Sequence, residues 1–147
     1  MKRCGLITAL LLVISVACYA GDEEPLEKLI ARADAGGDHQ AELYARVVQR
    51  EVAAASGSFA GGKPDDGFAA VNAINQYADK LLQSAQRHPK KLKDAELLLR
   101  NATRHLHDLE ETLNYDQRPT VKSTYQHLAQ VDSALLNIMF APPMPKR

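Results

Sequence analysis

The sequence predicts an all-α protein, an antiparallel four-helix bundle with a short leading helix. Three observations predict it. Apolar residues recur at three- and four-residue steps along most of the chain, with no runs of β-branched alternation. Prolines and glycines punctuate the chain at helix-length intervals. Two consecutive C-terminal segments share the 3.5-residue period of a helix–helix seam.

The chain opens with Lys2 and Arg3, an apolar run from Leu6 to Ala17 and small residues near Ala20, the pattern of a secretory signal peptide over residues 1–20. The run is shorter than the roughly 20 apolar residues of a membrane helix, and Asp22, Glu23 and Glu24 follow at once. Cleavage between Ala20 and Gly21 is the expectation, leaving no transmembrane anchor. The alternative is lipidation of Cys18, although Ser15-Val16-Ala17 lacks the leucine a lipobox carries three residues upstream. The protein is thus expected to be exported, to a periplasm or beyond the cell.

After residues 21–37, a short leading helix and glycine turn, residues 38–140 are expected to form the bundle domain. The leading helix runs from near Pro25 to Ala35, with Leu26, Leu29, Ile30 and Ala33 on one face, and stops at Gly36-Gly37. Asp38 offers an N-cap for a second helix to about Phe59, with Tyr44, Val48, Val52, Ala55 and Phe59 inward. Pro64, followed by Asp65 and Asp66 where the helix dipole favours anions, starts a third, with Phe68, Val71, Ile74, Ala78, Leu81 and Ala85 inward.

The fourth helix is the clearest. From Leu92, residues Ala95, Leu99, Ala102, Leu106, Leu109 and Leu113 alternate steps of three and four. The fifth, from near Pro119, repeats that phase with Val121, Thr124, Leu128, Val131, Leu135 and Ile138, so these two should lie antiparallel across the Asn114–Arg118 turn. Each long helix spans roughly 22–25 residues, or about 33–37 Å. At His88-Pro89 no glycine marks a turn, which leaves an alternative of helical hairpins in which helices three and four form one kinked rod. Residues 141–147, with Pro142, Pro143 and Pro145, are expected to be a disordered tail.

Cleavage would remove both cysteines, Cys4 and Cys18, so packing alone must stabilise the remaining 127 residues. Without Lys2 and Arg3, 16 basic residues face 18 acidic ones, a formal net charge of −2. That balance argues against a general nucleic-acid binder, which needs positive surface to neutralise phosphates.

Local charge is less even. Arg87, Lys90, Lys91 and Lys93 cluster between helices three and four, and Arg100 and Arg104 continue the cluster along helix four. Cations at a helix N-terminus oppose the dipole by about 0.3–1 kcal/mol each. Such a reversed gradient marks a candidate face for an anionic partner, such as lipid headgroups or a cell-wall polymer. The blander reading is a solvated face balanced by Asp94 and Glu96.

Other motifs carry less. Gly57 to Lys63 has the spacing of a phosphate-binding loop, but Pro64 stands where that loop needs Ser or Thr, and no strand precedes it. The histidines at 39, 88, 105, 107 and 127 include no pair four apart and no Glu three residues before any of them, so the ligand pairs of metal-binding bundles are missing. His105 and His107 point about 200° apart on a helix. Asn101-Ala102-Thr103 is a glycosylation sequon by pattern only. No cofactor and no catalytic residue is expected.

The run Lys91-Leu92-Lys93-Asp94-Ala95-Glu96, with Leu99-Arg100, Arg104, Leu106, Asp108-Leu109, Leu113 and Arg118-Pro119-Thr120-Val121, resembles a pattern in small exported bacterial helical-bundle proteins of unassigned function. The resemblance covers about a third of the chain and implies a shared helical hairpin, with no activity or site residues attached. Leu43 to Ala85 is similar to a single tetratricopeptide hairpin in Ala70, Tyr77 and Ala78, without the repeated period of a solenoid. The Leu-Thr-x-x-Gln signature of periplasmic helical-hairpin chaperones does not occur.

The expected function is therefore that of a non-enzymatic interaction or envelope-associated module, with an unidentified protein or an anionic envelope component as partner. The alternative is a metal- or small-ligand-binding bundle using His39, His105 or His127. Leu97 and Leu98 widen the apolar stripe of helix four and could serve a homo-oligomer.

Overall fold

A computed structural model describes residues 23–142. Among them are five helices and no strand: α1 (Leu26–Asp34), α2 (Gln40–Ala60), α3 (Pro64–Arg87), α4 (Lys93–Thr112) and α5 (Arg118–Phe140). The signal-peptide reading, its Ala20/Gly21 cut, the Cys18 alternative and most of the proline-rich tail lie outside the described residues. No described helix is long and apolar enough to cross a membrane.

The helices begin and end close to where the sequence places them. Pro64 opens α3, with Asp65 and Asp66 in its first turn. One expectation fails: Asp38 is not the N-cap of α2. His39 occupies that position, and no side-chain hydrogen bond closes the helix end. The turn before it runs through Gly36 and Gly37, both at positive φ, where a side chain is strained. The phosphate-loop spacing also resolves, because Gly57, Ser58 and Phe59 lie inside α2 and only Gly61–Lys63 connect it to α3.

Helices α3 and α4 are separate. His88, at φ −130° and ψ 78°, has left the helical region that a residue before proline avoids, and Lys91 adopts a left-handed backbone with φ of 59°. Leu92 then turns into the core and starts α4. Pro89 therefore sits in a five-residue connection and does not kink a continuous rod.

Two helical hairpins stack to make one core. α2 packs along α3, and α4 along α5, each pair antiparallel across a short turn. α2 also packs on α4, and α3 on α5, whereas α3 and α4 do not approach each other. The register fixes the directions. Asn75 meets Thr124 and Asp79 meets His127, so α3 and α5 run the same way. The C-terminal ends of α2 and α4 likewise share a groove lined by Ser56, Phe59, Leu109 and Leu113. Antiparallel neighbours thus hold within each hairpin and become parallel between them.

The predicted stripes supply the buried interior: Val48, Val52, Val71, Ile74, Leu81, Leu99, Leu106, Val121, Leu128 and Leu135 belong to one continuous cluster. Thr124 keeps its seam position because Asn75 Nδ2 donates to its hydroxyl at 2.9 Å. Leu98 packs half-buried against this core, while Leu97 is 51% exposed.

The short α1 is fastened to α2 and α3 by polar contacts. The Tyr44 hydroxyl donates to Asp34 at 2.7 Å, and the Lys80 ammonium donates to the same carboxylate at 3.0 Å while lying over the rings of Tyr44 and Tyr77. Burial, and then the Asp34 carboxylate, push the Tyr44 hydroxyl up to about 12 from 10. A folded pKa above the unfolded one means the protonated phenol stabilises the fold below pH 10, and that contribution is lost as pH rises from 10 to about 12. Tyr44→Phe is expected to cost about 1 kcal/mol at neutral pH and to flatten the loss of stability across that alkaline window. Urea melts at a series of pH values check it; an unchanged alkaline slope would assign the loss to other groups.

Candidate anionic-partner face

The basic cluster is built by the α3–α4 connection. Arg87 closes α3, Pro89 and the left-handed Lys91 hold the chain outside the core, and buried Leu92 pins its far end. Arg87, Lys90, Lys91 and Lys93 are consequently exposed. Among the described residues none of the four has an ion-pair partner. The N-terminus of α4 emerges in their midst without a side-chain cap, so its first backbone N–H groups face the same solvent.

The acids at this end are largely occupied. Parallel packing of α2 and α4 brings the start of α2 beside the start of α4. There Glu42 accepts from Arg46 at 2.7 Å and pairs with His39 at 3.2 Å, and the Arg46 hydrogen bond is the largest cause of its lowered pKa. Asp34 is held by Tyr44 and Lys80, which lower its pKa in that order. Asp38 and Asp94 remain exposed without ion pairs among the described residues. The four basic side chains therefore outnumber the uncommitted acids.

Arg100 and Arg104 do not simply extend this cluster. Arg100 is paired with Glu96 one turn earlier on α4, and Glu96 is only 6% exposed. Arg104 has no ion pair among the described residues, but it stands about 16 Å along the helix from Lys93. The face that the sequence presents as continuous is thus divided into a basic end and a separate guanidinium beside the α4–α5 groove.

That groove, of about 380 Å³, is lined by Arg100, Thr103, Arg104 and His107 of α4 and by Tyr125, Ala129, Asp132 and Ser133 of α5. The rings of His107 and Tyr125 stack at 4.9 Å. Burial, then the nearby Glu96, raise the Asp132 pKa, and Arg100 partly offsets them. Sequence reasoning missed Asp132. A signal was available, since Asp132 stands four residues after Leu128 and three before Leu135 and so flanks the seam of α5.

The histidines of the metal reading are dispersed. His39 pairs with Glu42, His105 is exposed on α4, and His127 bonds Asp79 at 2.9 Å across α3 and α5. Among the described residues no group of three potential ligands converges. In comparisons with known proteins, no family model matches the chain, and neither curated proteins nor solved structures give a match.

Proposed function

We propose that this chain is an exported, non-enzymatic helical protein that engages an anionic partner of the cell envelope through its basic end, and that its four long helices act as one four-helix bundle. One observation carries the reading: Arg87, Lys90, Lys91 and Lys93 are exposed around an uncapped helix start with no ion pair among the described residues, while Glu42 and Asp34 are tied up internally and only Asp38 and Asp94 stay uncommitted nearby. Structural charges on an ordinary solvated face are more evenly interspersed with acids. Leu97, exposed on α4, is the apolar contact that self-association of the bundle would use.

The test is co-sedimentation of purified protein with vesicles containing an anionic lipid, and affinity capture on an anionic polymer, across a salt series. Replacing Lys90, Lys91 and Lys93 by Gln is expected to weaken association tenfold or more at low salt. The difference should shrink as added salt shortens the screening length from about 10 Å toward 3 Å. Equal binding by the variant and the parent protein would remove the proposal.

The small-ligand alternative draws support from a different observation, the groove between α4 and α5 with its half-buried carboxylate.

A further inference from the structure

Asp132 is a residue that the requirements of folding do not explain. It flanks the α5 seam, beside Val131, which fills the buried position between Leu128 and Leu135. Its Oδ1 is shielded from solvent and receives no hydrogen bond from the described residues. The nearest other charges are a second carboxylate, Glu96, which repels it, and Arg100, which Glu96 already engages. A buried acceptor left without a donor destabilises the fold. Residues retained at such a cost to stability are characteristic of binding sites.

The surroundings of Asp132 narrow the ligand's chemistry. The hydroxyls of Thr103 and Ser133 donate to backbone carbonyls of their own helices, those of Leu99 and Ala129, at 2.8 and 2.9 Å. Among the described residues three polar functions of the groove have no hydrogen-bond partner: the Asp132 carboxylate, an acceptor, the Arg104 guanidinium, a donor, and the Tyr125 hydroxyl, which can be either. Tyr125, stacked on His107, and Ala129 provide an apolar wall.

A matching ligand supplies hydroxyl donors at one edge, a carboxylate at another and a C–H face for the aromatic wall. An ammonium donor fits less well, because Arg100 already places positive charge beside Asp132. A phosphate fits less well because Glu96 and Asp132 together repel a multiply charged group.

We propose that the α4–α5 groove binds one hydroxylated carboxylic acid unit of the uronic-acid class, as part of an acidic polysaccharide. Hydroxyls of the unit donate to Asp132, its carboxylate accepts from Arg104, and its ring lies against Tyr125 and Ala129. The volume of about 380 Å³ falls within the range of small-molecule sites. The groove is open, so neighbouring sugars can continue along the helices. This inference deepens the anionic-partner reading and rests on it: the basic end attracts any polyanion, and the groove distinguishes which one.

The test is calorimetric titration of the purified protein with a galacturonate oligomer, a polyphosphate of matched charge and a neutral galactose oligomer. The galacturonate oligomer is expected to bind more tightly than either control. Asp132→Leu should weaken it at least tenfold without weakening polyphosphate binding, and should raise the melting temperature. Arg104→Gln, an exposed substitution that leaves the core intact, should weaken galacturonate binding similarly. A merely structural Asp132 would give the opposite stability change.

Polyphosphate binding with no preference for galacturonate overturns this inference and leaves the basic end standing. Galacturonate binding that is insensitive to both Asp132→Leu and Arg104→Gln also overturns it. If neither polyanion binds, both readings fall.

Discussion

Leu106→Ala is expected to destabilise the protein by about 2–5 kcal/mol, toward the upper end of that range. Leu106 is fully buried on α4 and belongs to the one core cluster to which both hairpins contribute. Truncation removes methyl groups from water exclusion and leaves a cavity. Its walls belong to helices fixed at both ends by turns and neighbours, so they relax little. Domains of this size have about 5–15 kcal/mol of total stability, and no cysteine occurs among the described residues to supply a cross-link. Far-UV circular dichroism should show a melting temperature lower by roughly 10–15 °C with an unchanged urea slope. A loss below about 1 kcal/mol, far under the Leu→Ala range, would mean that the hairpins do not meet at Leu106 as described.

Gly67→Ala is expected to cost about 1–3 kcal/mol, although alanine is the better helix former by about 1 kcal/mol. Gly67 is buried in the first turns of α3, and a Cβ built there would stand 2.8 Å from two ring carbons of Phe59. Phe59 is half-buried and its ring packs edge-on against Phe68 at 5.2 Å between centroids, so relieving the clash means giving up that contact. The penalty is steric and local to the α2–α3 turn, so a second substitution separates it from lost backbone freedom. Phe59→Leu should make Gly67→Ala nearly neutral, and a double-mutant cycle measures the coupling. Additive effects would show that the ring and the glycine do not touch.

Much of the fold is legible in the sequence because helical periodicity is a local signal. Leu99, Ala102 and Leu106 on α4 and Val121, Leu128 and Leu135 on α5 all reach the core that their spacing predicts. The pairing of hairpins is not local. Nothing in the stripe of α4 distinguishes a face for α3 from a face for α2, so its packing on α2 depends on the three-dimensional fit.

Capping fails for a related reason. Asp38 and His39 are adjacent, and the glycine turn determines which of them enters the first helical turn. At the candidate face, the exposed lysines follow directly from the unbroken basic run. The withdrawal of Arg100 does not, because it depends on Glu96 being buried at the interface. Asp132 was hidden because a single acid beside a seam reads as an ordinary flanking charge until its oxygen is seen to lack a donor.

The connection His88 to Leu92 is the sole covalent link between the α2–α3 and α4–α5 hairpins. Each hairpin is closed by its own turn and offers the other a complete apolar surface. The molecule is in effect a heterodimer of two helical pairs tethered by five residues, one of them in a left-handed backbone that favours release. If that tether straightens, a hairpin of one copy can dock on the complementary hairpin of another with the same contacts, forming a domain-swapped pair. Whatever binds Lys90 and Lys91 would hold the tether bent, and so occupancy of the basic end would favour the self-contained monomer over exchange between chains.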